Sequence, residues 1–327
     1  MFHAQITGTG IYSPPKIETN ADLNKFYGEP IKDTFSNKIG ILQRHVTDDD
    51  ESTVDMAVKA GEKAIEDAGI KPEDLGLVVV ATDTPEYISP PTACVVQGRL
   101  KAVNAGAYDV NGACSGFVAA LDAMCRNAIS GGYEHILLIG AYNMTKFVDR
   151  ANAALVPLFG DGAGAVIISR SNEKGFTGSK LYADGTQYDL MGIYAGGAKY
   201  PLTPERIAKK EYMLQSLKPL PADRNIKLWP PIITELVEKN GLKTADIDFI
   251  ICTQINRFII ESVMPLLGLS MDKTICIMGE YGYTGSACIP MALDCARKKF
   301  KQPKKGDNVV FIASGVGLAV ASVLFKW

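Results

Sequence analysis

The sequence predicts an α/β protein in layers, assembled from two copies of one unit. Two observations carry that expectation. The segments Leu77–Ala81, His135–Ala141, Phe249–Cys252 and Asn308–Ala313 are apolar nearly throughout, and strands of that kind are covered on both faces. In addition, two pairs of segments match at one constant offset of 172 residues. Gly69-Ile-Lys-Pro-Glu-Asp-Leu-Gly-Leu-Val-Val-Val-Ala81 matches Gly241-Leu-Lys-Thr-Ala-Asp-Ile-Asp-Phe-Ile-Ile-Cys-Thr253, and Ala120-Leu121-Asp122 matches Ala292-Leu293-Asp294. Chance supplies either match; both at one offset indicate a duplicated unit.

The elements follow in order. Thr53–Ala68 has helical periodicity and ends at Gly69, a residue suited to a left-handed helix cap. The strand Leu77–Ala81 follows. Ala105–Val110 reads as a short extended segment, and Phe117, Leu121, Met124, Cys125 and Ile129 then recur at helical spacing. The strand His135–Ala141 completes the first copy. Residues 171–228 hold an irregular stretch rich in Gly, Pro and Tyr, which reads as an insertion. The second copy resumes with a helix at Pro230–Asn240 and the strands Phe249–Cys252 and Asn308–Ala313. The halves are placed at 1–170, bearing a nucleophilic Cys, and at 171–327, bearing a Gly-rich loop.

Composition narrows the function classes. The chain has 327 residues, 47% apolar and 21% charged, with a net charge of −2. That is enough to bury a full core, and it gives no reason to expect a nucleic-acid partner. The basic run Lys301-Gln-Pro-Lys304-Lys305 reads as a solvated loop. No stretch approaches the roughly 18 apolar residues of a membrane span, and Met1-Phe-His-Ala-Gln lacks the basic start and apolar run of a signal peptide. The seven cysteines include no CxxC pair, and His3, His45 and His135 are scattered, so no metal site is expected. The cysteines read as reduced and the protein as cytoplasmic.

Cys114 is the leading candidate for chemistry. In Tyr108-Asp-Val-Asn-Gly-Ala-Cys114-Ser-Gly-Phe117 it lies where a strand turns into a helix. Amides that open a helix favour an anion, so its pKa is expected to fall below the usual value of about 8.5. In the second copy, Ser286 of Gly279-Glu280-Tyr-Gly-Tyr283-Thr-Gly-Ser286 corresponds to it. The two turns are expected to face one pocket.

These residues, with Phe159-Gly-Asp-Gly-Ala-Gly164, Gln254-Ile-Asn256, Tyr281-Gly282, Ile289-Pro290 and Ser314-Gly-Val-Gly317-Leu, carry a resemblance. Over nearly its whole length the chain resembles the ketoacyl-acyl-carrier-protein synthase III family of the thiolase fold. The resemblance implies a five-layered αβαβα fold and a homodimer. It implies acyl transfer from a thioester onto Cys114, with acyl-CoA or acyl carrier protein as substrates and no cofactor. Gly317 is then the loop residue whose amide joins that of Cys114 in an oxyanion hole, where each donor lowers the barrier by about 3 kcal/mol. Asp161 and its glycines read as a tightly packed turn.

The pattern breaks at two positions. The family has a His in His-Gln-Ala-Asn; this chain has Thr253-Gln254-Ile255-Asn256. The family has an Asn in Gly-Asn-Thr; this chain has Gly282-Tyr283-Thr284. Thr253 is no base near pH 7, and Tyr283 offers one hydroxyl donor. Acylation of Cys114 is expected to survive, while the step after it needs a different base. Asp83, at the end of a strand leading to the pocket and resembling the position of a catalytic Glu in hydroxymethylglutaryl-CoA synthases, is the first candidate. Glu280 is the second. Asp83→Asn is expected to leave acylation intact and to stop turnover.

For substrate contacts, the resemblance points to Lys38, Arg150, Asn256 and Arg257 on the coenzyme side. It points to Ser89 where the family carries an aromatic that reaches across a dimer to the acyl pocket. Three readings follow: a synthase III-like condensing enzyme with an altered second step, an acyltransferase or non-decarboxylative condensing enzyme using acyl-CoA, and a non-catalytic partner subunit.

Overall fold

The structure is a computed structural model, and it describes residues 2–327. The first sheet has five strands in the order His3–Tyr12, Gly162–Ser171, His135–Tyr142, Leu77–Ala81 and Gly106–Val110. Leu77–Ala81 runs parallel to both of its neighbours, and the other pairings are antiparallel. The second sheet has four strands in the order Phe249–Cys252, Asn308–Gly315, Ala319–Lys326 and Phe176–Ala183. A single parallel bridge from Ile250 to Thr274 stands where the first sheet has its fifth strand.

Helices complete five layers. Gly116–Ile129 and Cys288–Cys295 lie between the sheets and touch strands of both. Thr53–Ala68 and Thr92–Leu100 cover the outer face of the first sheet, and Arg224–Lys239 covers that of the second. Cys288–Cys295 is apolar nearly all round and wholly buried, as a helix between two sheets must be. Asp294 within it is held by the Thr9 hydroxyl (2.7 Å) and Lys298 (2.7 Å).

The duplication is visible in detail. The short turns Pro72–Asp74 and Thr244–Asp246 carry the same cap, with Lys71 N donating to Asp74 at 2.8 Å and Lys243 N to Asp246 at 2.8 Å. Asp122 and Asp294 each pair with a basic residue four positions on. Applied to Thr53–Ala68, the same offset gives the true extent of the second-copy helix. It begins at Arg224, not Pro230, and carries Pro230 and Pro231 inside it. Prolines in a helix remove hydrogen bonds. Here burial of Trp229, Ile232, Ile233, Leu236 and Val237 outweighs that loss. The stretch 171–228 is likewise only partly irregular, because Phe176–Ala183 is an edge strand of the second sheet.

The ends of equivalent strands converge, and their loops are tied by buried polar bonds. The Asp161 carboxylate accepts from Thr47 N (2.9 Å) and Thr145 N (3.1 Å) and contacts both threonine hydroxyls. Thr47 Oγ1 donates to Asn143 at 2.8 Å, and Asn143 N donates to Thr84 Oγ1 at 2.9 Å. Thr84 N donates to Thr82 Oγ1 at 3.0 Å, and Thr53 Oγ1 to Thr84 O at 2.7 Å. This chain fixes the loop that carries Asp83 between Thr82 and Thr84. Asp161→Ala strands several buried donors, each costing about 1–3 kcal/mol. We expect a loss of about 3 kcal/mol in denaturant unfolding; a loss under about 1 kcal/mol contradicts this role.

Candidate active site

The strand Gly106–Val110 leads into the turn that carries Cys114. Asp109 turns back and accepts from Thr92 N and Ala93 N, each at 2.7 Å, at the start of the helix Thr92–Leu100. Asn111 accepts from Ala113 N (3.0 Å), and the Ser115 hydroxyl donates to Gly112 O (2.7 Å). Ala113 takes a left-handed φ of 47°, an uncommon conformation for a residue with a side chain. Cys114 emerges from this turn directly before the helix Gly116–Ile129 and is 8% exposed.

The Gly-rich loop of the second half lies against it. A Cβ placed on Gly315 would stand 3.0 Å from Cys114 N and 2.9 Å from Gly112 O, so only glycine fits. Gly317 has φ 120°, again a glycine conformation. Thr253 N donates to Ile312 O (3.0 Å), while its hydroxyl accepts from Ser314 N (3.1 Å). Ser314 Oγ in turn donates to Asn225 (2.9 Å). Thr253 is thus bound into the base of the loop.

Electrostatics overturn one expectation. Burial pushes the Cys114 thiol well above its usual pKa, and the Asp83 carboxylate adds to the rise. The Tyr283 hydroxyl, as hydrogen-bond donor, favours the thiolate but does not offset this. A helix start alone does not lower the pKa here, because desolvation outweighs it and the strongest influences on Cys114 include no cation. The free protein therefore holds a neutral thiol near pH 7. Burial also raises the Asp83 carboxyl to about 6, and its Oδ1 is buried with no partner. A carboxylate with a buried, unpartnered oxygen therefore acts on a protonated thiol, both withdrawn from water.

An aromatic wall completes it. Tyr142, Phe159 and Tyr283 pack with ring centroids 5.9–6.3 Å apart, and backbone bonds from Tyr283 N to Leu158 O (2.8 Å) and Gly160 N to Tyr283 O (3.0 Å) fix the group. Both tyrosines have pKa values raised well above the ordinary by burial, so they stay O–H donors. Tyr142, Cys288 and Arg224 were not legible as site residues. Cys288 acts electrostatically on Cys114 and Tyr283, and both of these act on Arg224. The repeat offset held the signal for Tyr142, which it pairs with Ser314 of the Gly-rich loop.

The remaining candidates scatter. Glu280 is half exposed and paired with Lys299 at 3.1 Å, so it is not a pocket carboxylate. Lys38 lies over the Phe258 ring at 4.3 Å, and Gly40 brings its loop against Arg257. Arg257 pairs with Glu261 (2.7 Å), and Asn256 caps the helix Arg257–Leu266 by accepting from Phe258 N (3.0 Å). Arg150 is engaged by both oxygens of Glu18, at 2.7 and 3.1 Å. Ser89 lies in an exposed loop beside Tyr87 and Ile88. His45 and His135 bond elsewhere, to Pro14 O (2.6 Å) and Ser169 Oγ (2.8 Å).

Two sheets enclosing paired helices, with a cysteine at the head of one of them and a Gly-rich loop against it, define a thiolase-fold condensing enzyme. Residues 108–185 and 237–327 match the models for 3-oxoacyl-[acyl-carrier-protein] synthase III and its C-terminal part. The chain is 38% identical over 325 residues to the β-ketoacyl-[acyl-carrier-protein] synthase III of Caldanaerobacter subterraneus, covering 99% of this chain and 98% of that one. The Aquifex aeolicus 3-oxoacyl-[acyl-carrier-protein] synthase III structure superposes with TM-score 0.86 at 34% identity, over 99% of this chain and 100% of that one. The priming β-ketosynthase of the R1128 polyketide pathway superposes with TM-score 0.89 at 27% identity, over 99% and 96%. This protein belongs to the β-ketoacyl-acyl-carrier-protein synthase III family and is an acyltransferase of the condensing type.

The raised Asp83 pKa has a stability sign. With an unfolded value near 3.9 and a folded value of about 6, the folded chain holds the extra proton between these values. Stability therefore falls as pH rises through that window, by about 2–3 kcal/mol. Asp83→Asn should stabilise the protein above pH 6 and leave it unchanged below pH 4. Equal effects at both pH values in chemical denaturation would contradict the burial of an ionised Asp83.

Proposed function

We propose that the protein loads an acyl group from acyl-CoA onto Cys114 and passes it to an acceptor, with Asp83 as proton carrier in both steps. What supports the reading is the influence on the raised Cys114 thiol of the Asp83 carboxylate, which is itself raised by burial and has an unpartnered oxygen. In the first step Cys114 Sγ attacks the thioester carbonyl and its proton passes to Asp83, directly or through one water. The backbone amides of Cys114 and Gly317 receive the oxyanion. Collapse expels the coenzyme thiolate, which takes the proton from Asp83. In the second step a carbon acceptor loses a proton to Asp83 and attacks the acyl carbonyl. The new bond forms, the thioester to Cys114 breaks, and the proton returns to the cysteine.

This gives Asp83 a larger part than a second-step base. Thr253 holds the loop and Tyr283 donates to Cys114, so neither takes a proton. A malonyl thioester, in this reading, meets no imidazole. A non-decarboxylative transfer to a carbon, oxygen or nitrogen acceptor is therefore the second reading, favoured by the same absence. In this reading Lys38 and Arg257 serve the coenzyme side, with Arg150 and Asn256 beside them. Acyl carrier protein is an alternative donor or acceptor carrier, and a cytoplasmic homodimer is the expected form. The open edge of the first sheet at Gly106–Val110, with exposed Ile88, Val103 and Tyr108 nearby in the chain, supports a second copy there. Ser89 would then approach the partner's pocket.

Intact-protein mass after incubation with acyl-CoAs tests the first step. Wild-type protein should gain one acyl group and Cys114→Ala none. Asp83→Asn should load about 100-fold or more slowly, since positioned bases contribute on that order. The wild-type loading rate should rise with pH through about 6, as Asp83 ionises. No adduct with any donor leaves the non-catalytic partner reading; an adduct formed at wild-type rate by Asp83→Asn removes Asp83. Carbon dioxide released from malonyl-acyl-carrier-protein separates decarboxylative condensation from the second reading.

A further inference from the structure

A charged group tied to the same Gly-rich loop is not used by the proposed steps. Arg224 opens the helix Arg224–Lys239, next to Asn225. Asn225 accepts from the Ser314 hydroxyl, and Ser314 N donates to Thr253, so the start of this helix is bonded to the Gly-rich loop beside Cys114. All three of these anchoring residues are buried. The placement of Arg224 is therefore set by the loop expected to hold the oxyanion.

Its guanidinium is unmatched. Nη1 is buried without a hydrogen-bond partner, and among the described residues the side chain makes no salt bridge. Asp83 Oδ1 is likewise without a partner, so these two atoms do not pair. The side chain is partly withdrawn from water, which lowers its pKa, and the groups acting on it are Cys114 and Tyr283. A buried unpaired N–H of a charged group is costly in the free protein. A carboxylate relieves that cost, because its two oxygens match the guanidinium fork.

We propose that Arg224 is the specificity residue for a carboxylate carried by the second substrate. Its guanidinium pairs with that carboxylate and selects an acidic acyl thioester over a neutral one of the same length. The proposal deepens the reading of Cys114 as the acyl-accepting nucleophile and rests on it.

Binding of malonyl-CoA and propionyl-CoA to the full-length Cys114→Ala protein, by titration calorimetry, tests this without turnover. Malonyl-CoA should bind about tenfold or more tightly than propionyl-CoA. Arg224→Gln in the same background should erase that preference by weakening malonyl-CoA alone, and Arg224→Lys should restore part of it. A merely structural role would weaken both ligands together. The proposal is overturned if malonyl-CoA binds no better than propionyl-CoA, or not at all, or if the preference survives Arg224→Gln. Failure of Cys114 to take an acyl group in the wild-type mass experiment would strike the nucleophile reading separately, since the calorimetric comparison does not depend on it.

Discussion

Desolvation of one small pocket governs what this protein can do. Cys114 and Asp83 come from different loops of the first half, and both are withdrawn from water. The same burial that raises the thiol raises the carboxyl, but from different starting points. The thiol is left protonated near neutrality and the carboxyl ionised, which is the arrangement a proton transfer between them needs. It has a cost, since an ionised buried carboxylate without a partner destabilises the fold that holds it. The Thr47–Asn143–Thr84 bonding chain and the wall of Tyr142, Phe159 and Tyr283 hold it in place.

Duplication explains how such a pocket arises. Each copy ends its strands on the same side, so the loops after Leu77–Ala81, Gly106–Val110, Phe249–Cys252 and Asn308–Gly315 meet between the central helices. The two copies have diverged in what those loops offer. The first supplies Cys114 and the Asp83 carboxylate. The second supplies the close-packed glycines, the Thr253–Ser314–Asn225 bonds and a cation. Tyr142 and Ser314 show the divergence within one equivalent pair: one is an aromatic wall, the other a bonding post.

Much of this was legible in the chain. The apolar strands and the constant offset pointed to the two copies, and the motifs pointed to the family. Asp83 could be picked out because it follows a strand leading toward the Cys114 turn and resembles a catalytic Glu position in a related family. Glu280 was picked on the same residue type and failed, because Lys299 draws it to the surface. The start of Arg224–Lys239 was misplaced because prolines signal a helix start locally, and local signals do not include the burial of Trp229. Arg224 had no signal at all; an arginine in a polar stretch looks solvated until the fold closes over it.

The sequence by itself determined the layered α/β architecture, its two copies, the cysteine turn and the family. These depend on periodicity, spacing and short motifs, which are local properties of the chain. Only the tertiary structure decided the charge state of Cys114, the partner it faces and the orphaned guanidinium near it. Those depend on how much water each group loses, and that is set by atoms distant from it in the chain.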